Sequence, residues 1–318
     1  MEKETKQIKG TLIYQPKGAA GEYAKWAINL FNGCGNGCAY CYNRRGVQSH
    51  AFGDEPKLAA PIIKLRDKML NVYMKSKGLT AHDLIPDDAI EKATREAIGY
   101  IIAEDIRKIG LDRLREDGGV FFSFKSDPLS EETKDWTFRC LVALSFNNRI
   151  PVTVLTKCTD WLDDESCDIY MDSMRCRREL YNFGFTITGM DELEVNAPST
   201  NDRINALQRV RALGYKTFVS MEPVVKLYRA KDVLMDIMGE TDEIRVGLQS
   251  PFKKDRYEPD ELIEFLRFLR SAARATPETK VVLKNSFLDE RLYKQIPAHL
   301  HDDYMEVVNE LKCNEPIK

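Results

Sequence analysis

Seven short apolar runs, rich in β-branched and aromatic residues and separated by helical patterns, constrain this chain more than any other feature. They cover residues 25–32, 120–124, 151–156, 183–188, 216–221, 244–248 and 281–283. Brief runs of this kind, bounded by turn or helix signals, suit buried parallel strands. Helix signals fill the spaces between them. Ser130 is a candidate N-cap ahead of Trp136, Leu141 and Leu144, and Ser199 with Asp202 reads as a variant capping box before Ile204, Leu207 and Val210. Gly214 is placed to end that second helix, and Pro259 suits the first turn of a helix carrying Leu262, Leu266 and Leu269. Residues 46–118 hold only helical patterns, at 60–74 and 89–108 among others, and read as a helical insertion in the first crossover. A helical tail is expected over about 286–318. The fold class predicted is α/β: one domain over residues 1–318, a full or partial (β/α) barrel of about six or seven parallel strands with helices outside. Reactive groups in such folds stand at the C-terminal ends of the strands.

Composition narrows the function classes. The chain has 318 residues, 43% hydrophobic and 31% charged, enough to bury a sizeable core. A formal net charge of −3 rules out a global basic field for gripping nucleic acid and leaves only a local basic stripe. No apolar stretch approaches the roughly 18 residues of a membrane span. The charged start, Met1 to Gly10, lacks the apolar core of a signal peptide. A cytoplasmic protein with no membrane contact is expected. Eight cysteines in such a chain point to metal binding or chemistry before disulfides.

Three of those cysteines share one loop, LFNGCGNGCAYCYNRR. Cys34, Cys38 and Cys41 follow a C-x3-C-x2-C spacing directly after the first predicted strand. Gly33, Gly35 and Gly37 allow the tight backbone needed to aim three thiolates together. Thiolates are soft ligands, suited to iron–sulfur clusters or zinc. Three ligands leave one corner of a cubane cluster open to a small molecule. The alternative is a structural zinc site completed by His50 or a distant cysteine, although structural zinc usually draws on paired C-x2-C or C-x2-H units.

The loop, with Tyr40 before its last cysteine, resembles that of the radical S-adenosylmethionine superfamily. Further stretches resemble its spore-photoproduct-lyase-like branch, which includes phage- and mobile-element-associated relatives: GEYAKWAINLFNGCGNGCAYCY, FFSFKSDP, PVTVLTK, and the run from Phe185 through PSTNDRINA to SMEPVV. The resemblance covers about residues 21–225. It implies a 4Fe-4S cluster on Cys34, Cys38 and Cys41 and an S-adenosyl-L-methionine bound at the open iron. It also implies reductive cleavage to a 5′-deoxyadenosyl radical that removes a substrate hydrogen, with an electron donor such as flavodoxin or ferredoxin.

Roles for individual residues follow by the same resemblance. Tyr40 belongs with the cofactor contacts. Ser126 and Asp127 stand where the methionine amino group is met, or form a helix-initiating turn. Lys157, ending the third run, would pair with the methionine carboxylate, or lie on the surface. Thr186 and Thr188, on one side of the fourth strand, suit the ribose hydroxyls, or are simply good strand formers. Arg203 matches an arginine of the family's PSP-like turn. Glu222, at the end of the fifth strand, suits a cofactor or substrate contact, and Gln249, Lys284 and Asn285 occupy similar positions on later strands.

The pattern also departs from the lyases, which carry a hydrogen-donating cysteine near the end of the second strand. Here that stretch reads Ser123-Phe124-Lys125-Ser126-Asp127, so repair of the thymine dimer is not expected. Cys158 is the candidate for a substitute catalytic hydrogen donor; the other reading is a small buried residue. Cys158, Cys167 and Cys176 fall at nine-residue intervals, which raises an auxiliary cluster as an alternative. Cys140 and Cys313 read as structural, and His50, His82, His299 and His301 form no ligand constellation. Arg66 and Lys68 read as a solvated helix face. Three functions remain open: a radical enzyme acting on a nucleic acid or nucleotide, one modifying a peptide or protein, and a non-catalytic metal-binding scaffold. The second usually shows a cysteine-rich C-terminal extension, whereas only Cys313 follows residue 225.

Overall fold

Six of the seven apolar runs each become one strand of a single sheet, and the first run splits in two. The computed structural model describes residues 10–45, 49, 52–80, 83–249 and 256–312. In chain order the early elements are β1 (Ile13–Tyr14), β2 (Ala27–Ile28), β3 (Phe31–Asn32), β4 (Lys57–Leu58), α1 (Ala60–Lys77), α2 (Asp87–Ile109) and α3 (Leu111–Glu116). Strand–helix alternation follows: β5 (Val120–Phe122), α4 (Lys134–Val142), β6 (Val152–Thr156), α5 (Glu165–Met174), β7 (Tyr181–Thr186), α6 (Thr200–Ala212) and β8 (Lys216–Val224). It continues through α7 (Leu227–Ile237), β9 (Glu243–Leu248), α8 (Pro259–Ala275) and β10 (Lys280–Leu283), and ends with α9 (Glu290–Tyr293) and α10 (His301–Lys312).

The main sheet has the order β1-β2-β5-β6-β7-β8-β9-β10. Only β1 runs antiparallel, against β2; the remaining pairs are parallel. β1 and β10 stay at opposite ends of this order, so the barrel is partial rather than full. The segment after α3 is the α/β alternation read from the sequence. The earlier segment is not purely helical, because β4 pairs antiparallel with β3.

The outer helices cover the sheet through apolar stripes. On α8, Leu262, Phe265, Leu266 and Leu269 are buried at helical spacing, and on α7 so are Leu227, Ala230, Val233, Leu234 and Ile237. Each large side chain so buried contributes about 1.5–3 kcal/mol. The capping box of Ser199 and Asp202 is present at the start of α6. Ser130 is one turn early as a cap: its carbonyl receives the Thr133 and Lys134 N–H groups, and Thr133 precedes α4.

A smaller apolar group fills the concave face. Ala27, Phe121 and Phe218 are its fully buried members, with Tyr14, Tyr23, Phe124 and Leu155 packed against them. Gly184 is needed here because a Cβ would stand 2.1 Å from the Phe218 ring. The chain between β1 and β2 arches over this face. Ala19 O receives the Lys284 ammonium at 3.2 Å, the Glu22 carboxylate receives the Asn285 N–H at 2.6 Å, and Tyr23 O receives Arg245 at 3.1 Å. The arch therefore straps one end of the sheet to the other. Its base is fixed by buried Asp105 of α2, which accepts the Leu12 and Ile13 N–H groups at 2.7 and 3.0 Å.

Candidate functional site

The cysteine loop leaves β3 and crosses the C-terminal ends of the parallel strands. Gly33 begins it at φ +112°, donating to Lys125 O at 2.9 Å; a Cβ there would come within 2.4 Å of Glu55 O. Cys34 N–H donates to Gly53 O at 3.0 Å, and Cys41 N–H closes a turn on Cys38 O at 3.1 Å. Cys38 is buried, whereas Cys34 and Cys41 are half-buried. Burial first, and Asp127 second, push the Cys34 thiol up to about 11; burial also raises Cys38, against the pull of Lys157. Among the described residues no three His, Cys, Asp or Glu side chains converge closely enough to hold a single metal ion.

Two buried carboxylates hold the loop, and the first is Asp127. Its Oδ2 accepts Asn36 Nδ2 and the Lys157 N–H, both at 2.8 Å; its Oδ1 accepts the Thr156 hydroxyl at 2.5 Å and the Leu129 N–H at 3.1 Å. Asp127 thus joins the middle of the cysteine loop to the end of β6, and its acceptor positions are engaged within the chain. Ser126 is paired with Ser123 through their hydroxyls at 3.0 Å.

Glu194 is the second carboxylate and was not legible in the sequence. It is 1% exposed and forms a 2.5 Å ion pair with Arg203, which is fully buried. The hydroxyls of Tyr40 and Thr188 both donate to Glu194, Thr188 at 3.2 Å. Arg203 also donates to Thr186 O at 2.7 Å and to Asp191 at 3.2 Å. The backbone adds to this: Cys38 bridges antiparallel to Glu194, and Ala39 N–H donates to Leu193 O at 2.8 Å. Three sequence candidates, Tyr40, Thr188 and Arg203, therefore meet on one unforeseen residue, and Thr186 joins them only through its carbonyl to Arg203. Thr188 lies two residues beyond the end of β7 rather than on the strand.

Lys157 lies between the two brackets. Its ammonium stands 5.7 Å from the centre of the Tyr40 ring. Burial pulls its pKa down, but the opposing charges of Cys38 and Glu194 outweigh this and raise it. Cys158 comes next, with Sγ 3.9 Å from Asn36 Oδ1. Burial, then Asp127, push its thiol far above the ordinary range, so it stays protonated at neutral pH. Cys167 is buried in α5 and Cys176 is exposed, and the two form no metal-holding group with Cys158. Cys140 is buried in α4, where burial lifts its thiol to about 12. His301 bonds to Ile296 O at 2.8 Å and stacks on Tyr293. His50, His82 and Cys313 lie outside the described residues.

Glu222 belongs to a different group, on the concave face. Its Oε2 accepts the Lys284 ammonium at 2.6 Å and the Tyr23 hydroxyl at 2.7 Å, while Tyr23 also meets the Ser220 hydroxyl at 2.6 Å. Lys284 Nζ lies 3.8 Å from the centre of the Tyr23 ring, and Arg245 lies over the same ring at 5.4 Å. Gln249 points to no such cluster through its backbone, whose N–H bonds to the Tyr257 hydroxyl at 3.0 Å.

No family model matches the chain, and no curated protein matches it at a significant level. Among solved structures, spore photoproduct lyase complexed with dinucleoside spore photoproduct is similar at a TM-score of 0.53 and 13% identity, over 86% of this chain and 81% of that one. Streptococcus suis SuiB gives a TM-score of 0.41 at 9% identity, over 77% of this chain and 64% of its own. SuiB bound to S-adenosylmethionine gives 0.43 at 10% identity, over 74% and 64%. Among the described residues no helix is long and apolar enough to cross a membrane. With the parallel strand order and the cysteine loop already in place, the chain carries the fold of spore photoproduct lyase.

Proposed function

We propose that the chain is a radical S-adenosylmethionine enzyme whose Cys34, Cys38 and Cys41 hold a 4Fe-4S cluster. The observation that carries this reading is the placement of three cysteines on one bracketed loop, at the C-terminal ends of the parallel strands, beside Lys157. The donor set fits the group. A single zinc ion, with zinc–sulfur bonds of about 2.3 Å, would need its thiolates within about 4 Å of one another. No such convergence exists among the described residues. Thiolates are soft ligands and suit an iron–sulfur cluster.

Held by Cys34, Cys38 and Cys41 and reduced by a donor such as flavodoxin or ferredoxin, such a cluster would supply the one-electron chemistry for reductive cleavage of S-adenosylmethionine. The chain's own groups orient the reactants. Lys157 offers a cation for the methionine carboxylate. Asp127, with every acceptor position engaged, keeps the loop and β6 in register and leaves Ser126 nearer the surface for a polar contact. Arg203 acts through Glu194 rather than as a free cation. Cys158, as a thiol, would be the group that returns a hydrogen atom to a substrate radical in this reading. Glu222 and Lys284 set the polarity of the concave face where a substrate enters.

A nucleic acid or nucleotide is the substrate class we favour. Tyr228, 57% exposed at the start of α7, carries Lys226 and Arg229 beside its ring, the pairing of exposed aromatic and cation on which a base can stack. Anaerobic reconstitution with iron and sulfide, followed by reduction, tests the enzyme reading. 5′-Deoxyadenosine should form from S-adenosylmethionine and disappear in Cys38→Ala. A wild-type protein that takes up zinc alone, or forms no 5′-deoxyadenosine, refutes it. Deuterium transferred into 5′-deoxyadenosine from labelled oligonucleotides, and not from labelled peptides, tests the substrate class.

A further inference from the structure

We infer that Glu194 is a positioning residue for the cluster loop: clamped by Arg203, its carboxylate fixes Tyr40 and the arc from Cys38 to Cys41, and so governs how firmly the three thiolates retain iron. The inference rests on the cluster reading and goes beyond it.

A buried ion pair costs desolvation, and it is sustained only where the remaining lone pairs and protons find partners. Glu194 meets that requirement through Tyr40 and Thr188 on one oxygen and Arg203 on the other. The pair is not needed to join β7 to α6. Arg203 does that alone through Thr186 O at 2.7 Å, and its Nε also holds the α6 N-cap carbonyl of Ser199 at 3.3 Å. What Glu194 adds is directed at the loop: the Tyr40 hydroxyl, the backbone bridge to Cys38, and the turn that presents Leu193 O to Ala39 N–H. Asn196 extends the same seam, donating through Nδ2 to Gly35 O at 2.8 Å. The segment from Leu193 to Asn196 thus lies along the loop as a second rail. Groups that orient metal ligands in this way commonly change metal affinity about 10–100-fold when removed.

The test uses the full chain in two states. In the reconstituted protein, Glu194→Gln and Tyr40→Phe should lose iron to a ferrous chelator about 10-fold faster than wild type, and Glu194→Ala faster again. Glu194→Gln should also move the cluster potential in the positive direction, because a negative charge beside Cys38 is removed. Tyr40→Phe keeps that charge and should leave the potential in place. A role limited to packing would not separate the two variants this way. In the metal-free protein, hydrogen exchange at the Ala39 amide should rise about 10-fold in both variants while the amides of α6 remain protected. Wild-type iron retention in both variants, with unchanged melting, overturns the inference. If wild type binds no cluster, the cluster reading fails and the iron-retention role falls with it; raised Ala39 exchange in Tyr40→Phe would then show only that Glu194 orders the loop, and unchanged exchange would refute that as well.

Discussion

The two sides of the barrel mouth are held by different kinds of contact. On the loop side, Asp127 and Glu194 are 6% and 1% exposed, and each carboxylate is surrounded by donors from two or more segments. On the concave side, the Glu222 side chain keeps 22% exposure, and its partner Lys284 divides its interactions among a carboxylate, a carbonyl and the Tyr23 ring. The first arrangement tolerates little change, since any lost partner leaves a buried charge or donor stranded. The second has redundant partners, and its carboxylate, though not the buried Lys284 ammonium, has access to water. The loop side is the tightly paired frame, and the concave side is the more loosely paired one.

The largest expected effect tests the rigid side. Arg203→Met strands Glu194 without its cation and should lower unfolding stability by about 3–5 kcal/mol in urea denaturation. A loss below about 1 kcal/mol would erase the contrast between the two sides. Asp127→Asn should come next. Its amide NH₂ must face donors from Asn36 and Lys157 or from Thr156 and Leu129, a mismatch of about 1–3 kcal/mol by the same denaturation.

The concave side should respond less. Lys284→Met leaves Glu222 with the Tyr23 hydroxyl and some water, so a cost of about 1–2 kcal/mol is expected, with faster proteolytic cutting between residues 15 and 24 as the strap loosens. Adding Glu222→Gln to that variant should recover most of the loss, because a neutral pair no longer strands a charge. A double variant as unstable as Arg203→Met would show the concave side to be equally rigid. Tyr23→Phe is the mildest change. It removes one hydroxyl but keeps the ring beneath Lys284, and about 1 kcal/mol should be lost with the strap still resistant to protease.

What the sequence disclosed divides along the same physical line. Strands β5 to β10 were legible because short apolar runs between helix signals are a local pattern. The first run misled because Asn29 breaks it: its side-chain oxygen, rather than a continuing strand, receives the Phe124 and Lys125 N–H groups at 2.8 and 3.1 Å. The cysteines were legible from spacing alone. Lys157 could be picked out as a polar residue just past an apolar strand; Glu222 was expected to end its strand, but β8 continues through it to Val224. Glu194 could not, since it sits in a short turn after β7 and acquires its meaning from Tyr40, 154 positions away. Asn36 was visible as a polar residue between glycines, but nothing nearby reveals that Asp127 is its partner. Tyr23 lay within a stretch already matched by motif, yet its contact with Glu222 exists only once the strap has folded back.

That strap has a consequence for how the molecule is made. Ala19 and Lys284 meet across 265 positions, so the earliest described part of the chain waits for the last strand of the sheet before it can fasten. Contacts of such long range are slow to form and are entropically costly until their neighbours are in place. Tyr23 already meets Ser220 and Glu222 of β8 and Arg245 of β9, and the contacts of Lys284 and Asn285, just past β10, with Ala19 and Glu22 complete the tie between the two ends of the partial barrel.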